Sequence, residues 1–277
     1  MYNQARIKLK KFDLNDMVDH ATIALIAKRG SGKSVLVKDI MKTRKHIPAT
    51  VIICKTEKLN SSYDKLIPNS YIYYEFENEI LNRIFVRQKM LIEDNKKREK
   101  EGKKLKDDRV LLIMDDCMSD KNWVKDPTIG ELFFNGRHYH ISFILTLQYS
   151  KGLPPDMRSN LDYIFLFADD VIKNRQRLYD DYAGMFPSFD VFQQVFLDVT
   201  EDYGCMVINN RKHTKHIEEK VFWYRARDSK DKRLGCNRYK IYHNKYFNKK
   251  WDKLPPSFDY SKYGSKRRVN VVVEKTK

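Results

Sequence analysis

The chain has 277 residues, 42% of them hydrophobic, which suffices for one large α/β domain or two small ones. No apolar run approaches the roughly 20 residues of a membrane span, and no signal-like apolar segment follows the basic start MYNQARIKLKKFDLND, so a soluble intracellular protein without a membrane span is predicted. The net charge of +17 sits mostly at one end, with 21 Lys and Arg against 7 Asp and Glu from Arg211 to Lys277, and the four cysteines lack the C-x-x-C spacing of metal or redox sites.

In chain order, the first apolar run is ATIALIA, Ala21 to Ala27, and it leads into AKRGSGKS, Ala27 to Ser34. The following VLVKDIMKTRKH has Val35, Leu36, Val37, Ile40 and Met41 at the spacing of a helix that packs on a sheet. Further strand-like runs are TVIICK (Thr50 to Lys55), YIYYEF (Tyr71 to Phe76), RVLLIMDD (Arg109 to Asp116), ISFILTLQ (Ile141 to Gln148) and DYIFLFAD (Asp162 to Asp169). Their unbroken apolar character suits strands covered on both faces, so the fold class expected is α/β, with a mostly parallel central sheet flanked by helices. YGCMVINN and VFWYRA read as antiparallel edge strands.

Between the third and fourth runs, Ile80, Leu81, Ile84, Phe85, Met90 and Leu91 follow helical spacing before a dense charge run. This predicts a helix that leaves the core and ends in an exposed arm near Gly102. The domain organisation expected is 1–226 for the α/β unit and 227–277 for a basic, aromatic-containing extension. VFWYRAR and NRYKIYHNKYFNKKW interleave aromatics with cations, a pattern suited to nucleic-acid phosphates and bases or simply to a solvated basic surface. The tail after about Trp251 reads as partly disordered, or as ordered by a partner.

Strand, glycine loop and helix is the setting of a phosphate-binding loop. The candidate nucleotide-contacting residues are Ala27, Lys28, Arg29, Gly30, Ser31, Gly32, Lys33, Ser34 and Val35. Gly30 and Gly32 let backbone N–H groups turn toward phosphate oxygens at a helix N-terminus. Lys33 would bridge the β and γ phosphates of ATP, and Ser34 would ligate Mg²⁺. Ala27 replaces the first glycine of the simplest pattern, where a small residue at a strand end suffices.

The second half of such a site is an acidic strand end, and VLLIMDDC supplies Asp115 for Mg²⁺ and Asp116 for the attacking water. Adjacent strand residues face opposite ways, so both serve only where the strand is ending. Thr146 and Gln148 end the next strand at the carboxyl edge of the sheet, and Gln148 is a candidate sensor of the γ-phosphate or the water. Arg137 and Arg158 flank that strand and are candidates for an arginine reaching a neighbouring subunit's γ-phosphate, or for structural ion pairs. Arg29 is a candidate for the same task in cis. His138 and His140 read as ordinary polar residues.

AKRGSGKS, VLLIMDDC, NGRHYHISFILTLQY with LPPDMRSNLDYIFLF, and the late VFWYRA together resemble the genome-packaging ATPases of nucleocytoplasmic large DNA viruses, the poxvirus-type branch of the FtsK/HerA class. The resemblance spans roughly residues 23–226. It implies a RecA-like P-loop core in which one strand separates the acidic strand from the P-loop strand. It further implies a homo-oligomeric ring, pentameric or hexameric, that moves double-stranded DNA into a preformed capsid; the basic tail is a candidate for gripping that DNA or for docking on a capsid portal or nuclease partner. Residence in the host cytoplasm, at the viral factory, and in the virion follows from the same resemblance. Asp116 departs from the Glu common at that position in related ATPases. Two rival readings share the phosphate loop: a nucleoside kinase, and an ATP-dependent nucleic-acid-binding or virion-assembly protein that does not translocate.

Overall fold

The computed structural model describes residues 6–117, 123–148 and 152–248. The chain runs β1 (Thr22–Ile26), α1 (Lys33–Thr43), β2 (Ala49–Cys54), α2 (Glu57–Asn60), β3 (Ile72–Tyr73), α3 (Asn78–Lys100), β4 (Val110–Asp115), α4 (Pro127–Asn135) and β5 (Ile141–Leu147). It continues through α5 (Pro155–Ser159), β6 (Tyr163–Phe167), α6 (Ile172–Tyr182), α7 (Phe189–Val199), β7 (Gly204–Asn209), α8 (Ile217–Lys220), β8 (Val221–Arg225) and α9 (Asn237–Tyr246).

All eight strands join one sheet in the order β3-β2-β4-β5-β1-β6-β7-β8. The first six in sequence are mutually parallel, and β7 is antiparallel to both β6 and β8. The expected α/β architecture is present, with antiparallel strands at one edge. One strand, β5, separates β4 from β1, as the resemblance implied. Strands β1, β2, β4, β5 and β6 are buried at every position, which is why their sequences are continuous apolar runs instead of alternating ones. No helix among the described residues is long and apolar enough to cross a membrane.

Both sheet edges are managed. At one, residues 10–12 run beside β8, with Phe12 N–H donated to Trp223 O at 2.9 Å and Trp223 N–H to Lys10 O at 3.1 Å. At the other, β3 is shorter than the expected Tyr71 to Phe76, because only two rungs form with β2, Ile52 to Ile72 and Ile53 to Tyr73. There the Tyr71 ring stacks on Tyr239 of α9, with centroids 3.8 Å apart.

The arm expected near Gly102 is exposed, and it folds back along α3. Ile80, Leu81, Ile84, Phe85 and Gln88 bury the first turns of α3, after which the helix runs into solvent and Gly102 reverses the chain. The returning segment is pinned to the helix: Lys106 N–H donates to Asn95 Oδ1 at 2.8 Å, and Arg98 Nε donates to Lys104 O at 2.8 Å. Gln88, fully buried, spends its amide on the carbonyls of Asp108 and Tyr139, each at 2.7 Å.

Beyond β8 the chain travels along α1 to the opposite end of the sheet. Asp39, buried on α1, accepts from Tyr224 OH at 2.6 Å and Arg227 N–H at 2.8 Å, and Lys42 pairs with Asp231 at 2.8 Å. Leu234 N–H then donates to Leu66 O and Cys236 N–H to Pro48 O, both at 2.8 Å, and Tyr239 OH reaches Thr50 O at 2.6 Å. Leu234 and Tyr239 thereby join the main core. The tail after Trp251, with its basic run, lies outside the described residues. The four cysteines carry no disulfide: Cys54 and Cys205 are buried, Cys117 is partly so, and Cys236 is exposed.

Candidate nucleotide site

The loop after β1 is built to turn sharply at a helix start. Ala27 extends β1 by donating its N–H to Leu147 O at 2.9 Å, and the Ser31 hydroxyl closes the loop on Lys28 O at 2.8 Å. Gly30 and Gly32 hold φ of +81° and +91°, left-handed values that a side chain would strain, and Gly32 is the N-cap of α1. With no side-chain cap, the first N–H groups of α1 are left for an anion at the positive end of the helix.

Lys33 is buried, and its ammonium ends between two carboxylates. Asp116 Oδ1 lies 2.5 Å from Lys33 Nζ and Asp115 Oδ1 lies 3.8 Å away. Asp115 ends β4 beside Thr146 of β5, whose hydroxyl donates to Asp115 Oδ1 at 2.6 Å. Its other oxygen accepts from the Tyr63 hydroxyl at 2.7 Å. Burial, and next the Asp115 charge, push the Tyr63 hydroxyl well above its usual pKa, so it stays a donor.

Asp116 faces the same cleft as Asp115 although the two are adjacent. Its φ of +52° breaks the strand alternation, and its N–H is taken by Thr146 Oγ1 at 3.1 Å. Gln148 completes the cluster by donating Nε2 to Asp116 Oδ1 at 3.2 Å.

Lys33, Tyr63, Asp115, Asp116 and Gln148 line a cleft of about 620 Å³ at the carboxyl edge of the sheet, with Thr146 buried behind them. Lys28, Arg29, Gly30, Gly32, Lys33, Ser34 and Val35 of the loop border it, whereas Ala27 and Ser31 support the loop from outside the lining. Val35, expected to pack inward, is instead partly exposed there. Lys28 turns its ammonium to Asp169 at 2.9 Å and Asp170 at 3.6 Å, and the hydrogen bond to Asp169 raises its pKa. Arg29 is exposed and has no ion-pair partner among the described residues.

The two flanking arginines lie elsewhere. Arg137 sits in the turn Gly136–Tyr139 before β5, and Arg158 ends α5 before β6, so both stand toward the amino edge, away from the cleft of their own chain. Arg158 is engaged by Asp181 and lies over the Tyr182 ring at 5.8 Å. Arg137 is exposed, with no ion-pair partner among the described residues.

The sequence reading missed part of the lining. Thr56, Asn60, Ser62 and Tyr63 enter from the segment after β2, and Tyr203, Arg225 and Ala226 from the β7–β8 side. VFWYRA stood out as a motif, but nothing in the spacing of Tyr63 or Tyr203 tied either to the phosphate loop.

Among the described residues no cluster of three or more His, Cys, Asp or Glu side chains is arranged to hold a metal. The oxygen donors of Ser34 and Asp115 nevertheless suit Mg²⁺, which takes one or two protein oxygens together with substrate phosphates and waters.

The sequence profile of the family described as Poxvirus A32 protein matches residues 9–177. The chain belongs to this family. It is 47% identical to the uncharacterized protein L437 of Acanthamoeba polyphaga mimivirus, over 89% of this chain and 86% of that one. It is 29% identical to the uncharacterized protein 075L of invertebrate iridescent virus 6, over 91% of this chain and all of that one. Among solved structures, the genome packaging NTPase B204 from Sulfolobus turreted icosahedral virus 2 shares the fold. Its complex with sulfate aligns at a TM-score of 0.51 and 17% identity, covering 77% of this chain and 100% of that one. Its complex with AMPPCP aligns at 0.50.

Proposed function

We propose that this A32-family protein is an ATPase of the FtsK/HerA class that couples hydrolysis to the movement of double-stranded viral DNA into a capsid. The observation that carries the ATPase reading is the convergence of Lys33, Asp115, Asp116 and Gln148 beside an uncapped helix N-terminus in one cleft. Nucleotide binding would draw Lys33 from Asp116 onto the β and γ phosphates. That frees Asp116 Oδ1 to accept a proton from water, with the Gln148 amide within reach to orient the same water. Mg²⁺ held by Ser34 and Asp115 would supply charge neutralisation at the phosphates.

Coupling to DNA rests on family membership and on the basic segment from Arg211 to Lys277, whose phosphate contacts would be sequence-independent and salt-sensitive. In a ring, an arginine of one subunit would complete the charge balance at its neighbour's cleft. Arg137 suits that role better than Arg158, which is already committed to Asp181.

The test is the ATPase rate with and without double-stranded DNA, measured alongside particle mass in ATP. The expected outcome is a DNA-stimulated rate from an oligomer. Lys33→Ala should abolish turnover while circular dichroism stays native. A persistent monomer with a DNA-independent rate would refute the motor, and undiminished turnover of Lys33→Ala would refute the site.

A further inference from the structure

The catalytic cluster gives the cleft a direction. Asp115, Asp116 and Gln148 come from β4 and β5, on one side of the phosphate loop, and therefore mark the γ-phosphate end. A triphosphate threaded through the loop must leave its nucleoside on the other side, toward β6, β7 and β8. There the cleft is bordered by Tyr203, Arg225 and Ala226.

Tyr203 is held in place by backbone that is costly to form. The turn Glu201–Tyr203 joins α7 to β7, and within it Asp202 and Tyr203 both adopt left-handed φ, +49° and +62°. Two consecutive non-glycine residues in that region persist only when their surroundings fix them, a pattern that clusters at ligand sites. The surroundings here do so. Thr200 is buried and donates its hydroxyl to Phe196 O at 2.7 Å, and Gly204 abuts Val199 so closely that a Cβ would stand 2.4 Å from the Val199 carbonyl oxygen.

The turn lays Tyr203 against the phosphate loop. A Cβ placed on Gly32 would be 3.6 Å from Tyr203 Cβ and 3.7 Å from Cδ1. Yet the residue is 68% exposed, and its hydroxyl has no hydrogen-bond partner among the described residues. An aromatic ring is thus left open at the mouth of the cleft. Arg225, at the end of β8, lies 3.9 Å from Asp202 of the same turn and places a planar guanidinium on the same rim.

We infer that Tyr203 forms the stacking face of a nucleobase subsite, with Arg225 as its cationic rim, for the base of a nucleoside triphosphate held by the phosphate loop. The inference rests on the reading of this cleft as a nucleotide site. Aromatic rings and guanidinium planes stack on bases without reading their hydrogen-bonding edges. The subsite therefore adds affinity for ATP and GTP alike and none for a phosphate chain that lacks a base.

Calorimetric titration of the full chain with ATP, GTP and inorganic tripolyphosphate, in Mg²⁺, separates these contributions. Tyr203→Ala should weaken ATP and GTP about tenfold, the scale of one lost base stack, and leave tripolyphosphate within about twofold. Tyr203→Phe and Tyr203→Trp should keep wild-type affinity for all three. Unchanged ATP affinity in Tyr203→Ala, or equal weakening of ATP and tripolyphosphate, would overturn the subsite while leaving the nucleotide cleft standing. A wild-type chain that binds none of the three would overturn the cleft itself, and the subsite with it.

Discussion

Tyr63→Phe isolates the hydrogen bond that fixes the acidic strand end. Tyr63 is fully buried, so phenylalanine fills the same space and only the hydroxyl is lost. What disappears is a 2.7 Å bond to Asp115 Oδ2, a carboxylate only 4% exposed whose other oxygen is held by Thr146. A hydrogen bond to a charged group contributes about 1.5–3 kcal/mol, and water cannot easily replace the donor at this depth. Unfolding of a chain of this size shifts by about 2–4 °C for each kcal/mol, so Tm should fall by roughly 3–12 °C. Urea denaturation at neutral pH should show a lower midpoint with an unchanged slope. If hydrolysis uses Asp115 to hold Mg²⁺, the Mg²⁺ concentration for half-maximal ATPase activity should also rise. A stability change below about 0.5 kcal/mol would refute the reasoning, because it would mean that Thr146, Lys33 and the Cys54 thiol, 3.9 Å from Asp115 Oδ2, fix Asp115 without Tyr63.

Gly204→Ala should destabilise the chain by about 3 kcal/mol, since its Cβ would meet the Val199 and Glu201 carbonyl oxygens at 2.4 Å and 2.9 Å; a loss under about 1 kcal/mol by urea denaturation would show that the turn yields. His20 has its pKa lowered below 6.5, first by burial and next by the His140 ring stacked 4.8 Å away, with Arg109 adding to the effect and Asp19 and Asp108 opposing it. The unfolded chain then binds that proton more tightly, so stability is full above pH 6.5 and falls as pH drops below it. His20→Asn, chosen because Asn tolerates the left-handed φ of +60°, should lose less stability than the native chain between pH 7.5 and about 5.5. Equal losses would remove His20 from the account.

The parallel strands were legible because burial on both faces writes itself as unbroken apolar runs, and the turn from β1 into α1 because its glycines sit between a strand and a helix. Edge behaviour was not. YIYYEF has the composition of a strand, but a strand needs a neighbour, and β2 offers it only two rungs. The charge run after Met90 reads as an arm because its contacts are side-chain-to-carbonyl bonds, from the Asn95 amide and the Arg98 guanidinium, which leave no periodic trace. Tyr63 and Tyr203 were invisible for a related reason. Each acts through one long-range contact set by topology, 52 residues from Asp115 in the first case and across the sheet from β7 to Gly32 in the second.

The aspartate at position 116 raised two objections from sequence: it neighbours Asp115 on a strand, where side chains alternate, and it is one methylene shorter than glutamate. Both are answered by one backbone feature. The left-handed φ of +52° ends the strand and swings the shorter side chain back over the cleft, where Oδ1 comes within 2.5 Å of Lys33 and 3.2 Å of Gln148. Thr146 secures the turn by serving both aspartates at once, accepting the Asp116 N–H and donating to the Asp115 carboxylate. A residue that tolerates left-handed φ is needed at such a position, and Asp does so more readily than Glu, whose longer side chain cannot bond locally to its own backbone. The shorter acid is thus consistent with the turn that presents it, and in the proposed ATPase the reach a glutamate would gain in its side chain is gained here in the main chain.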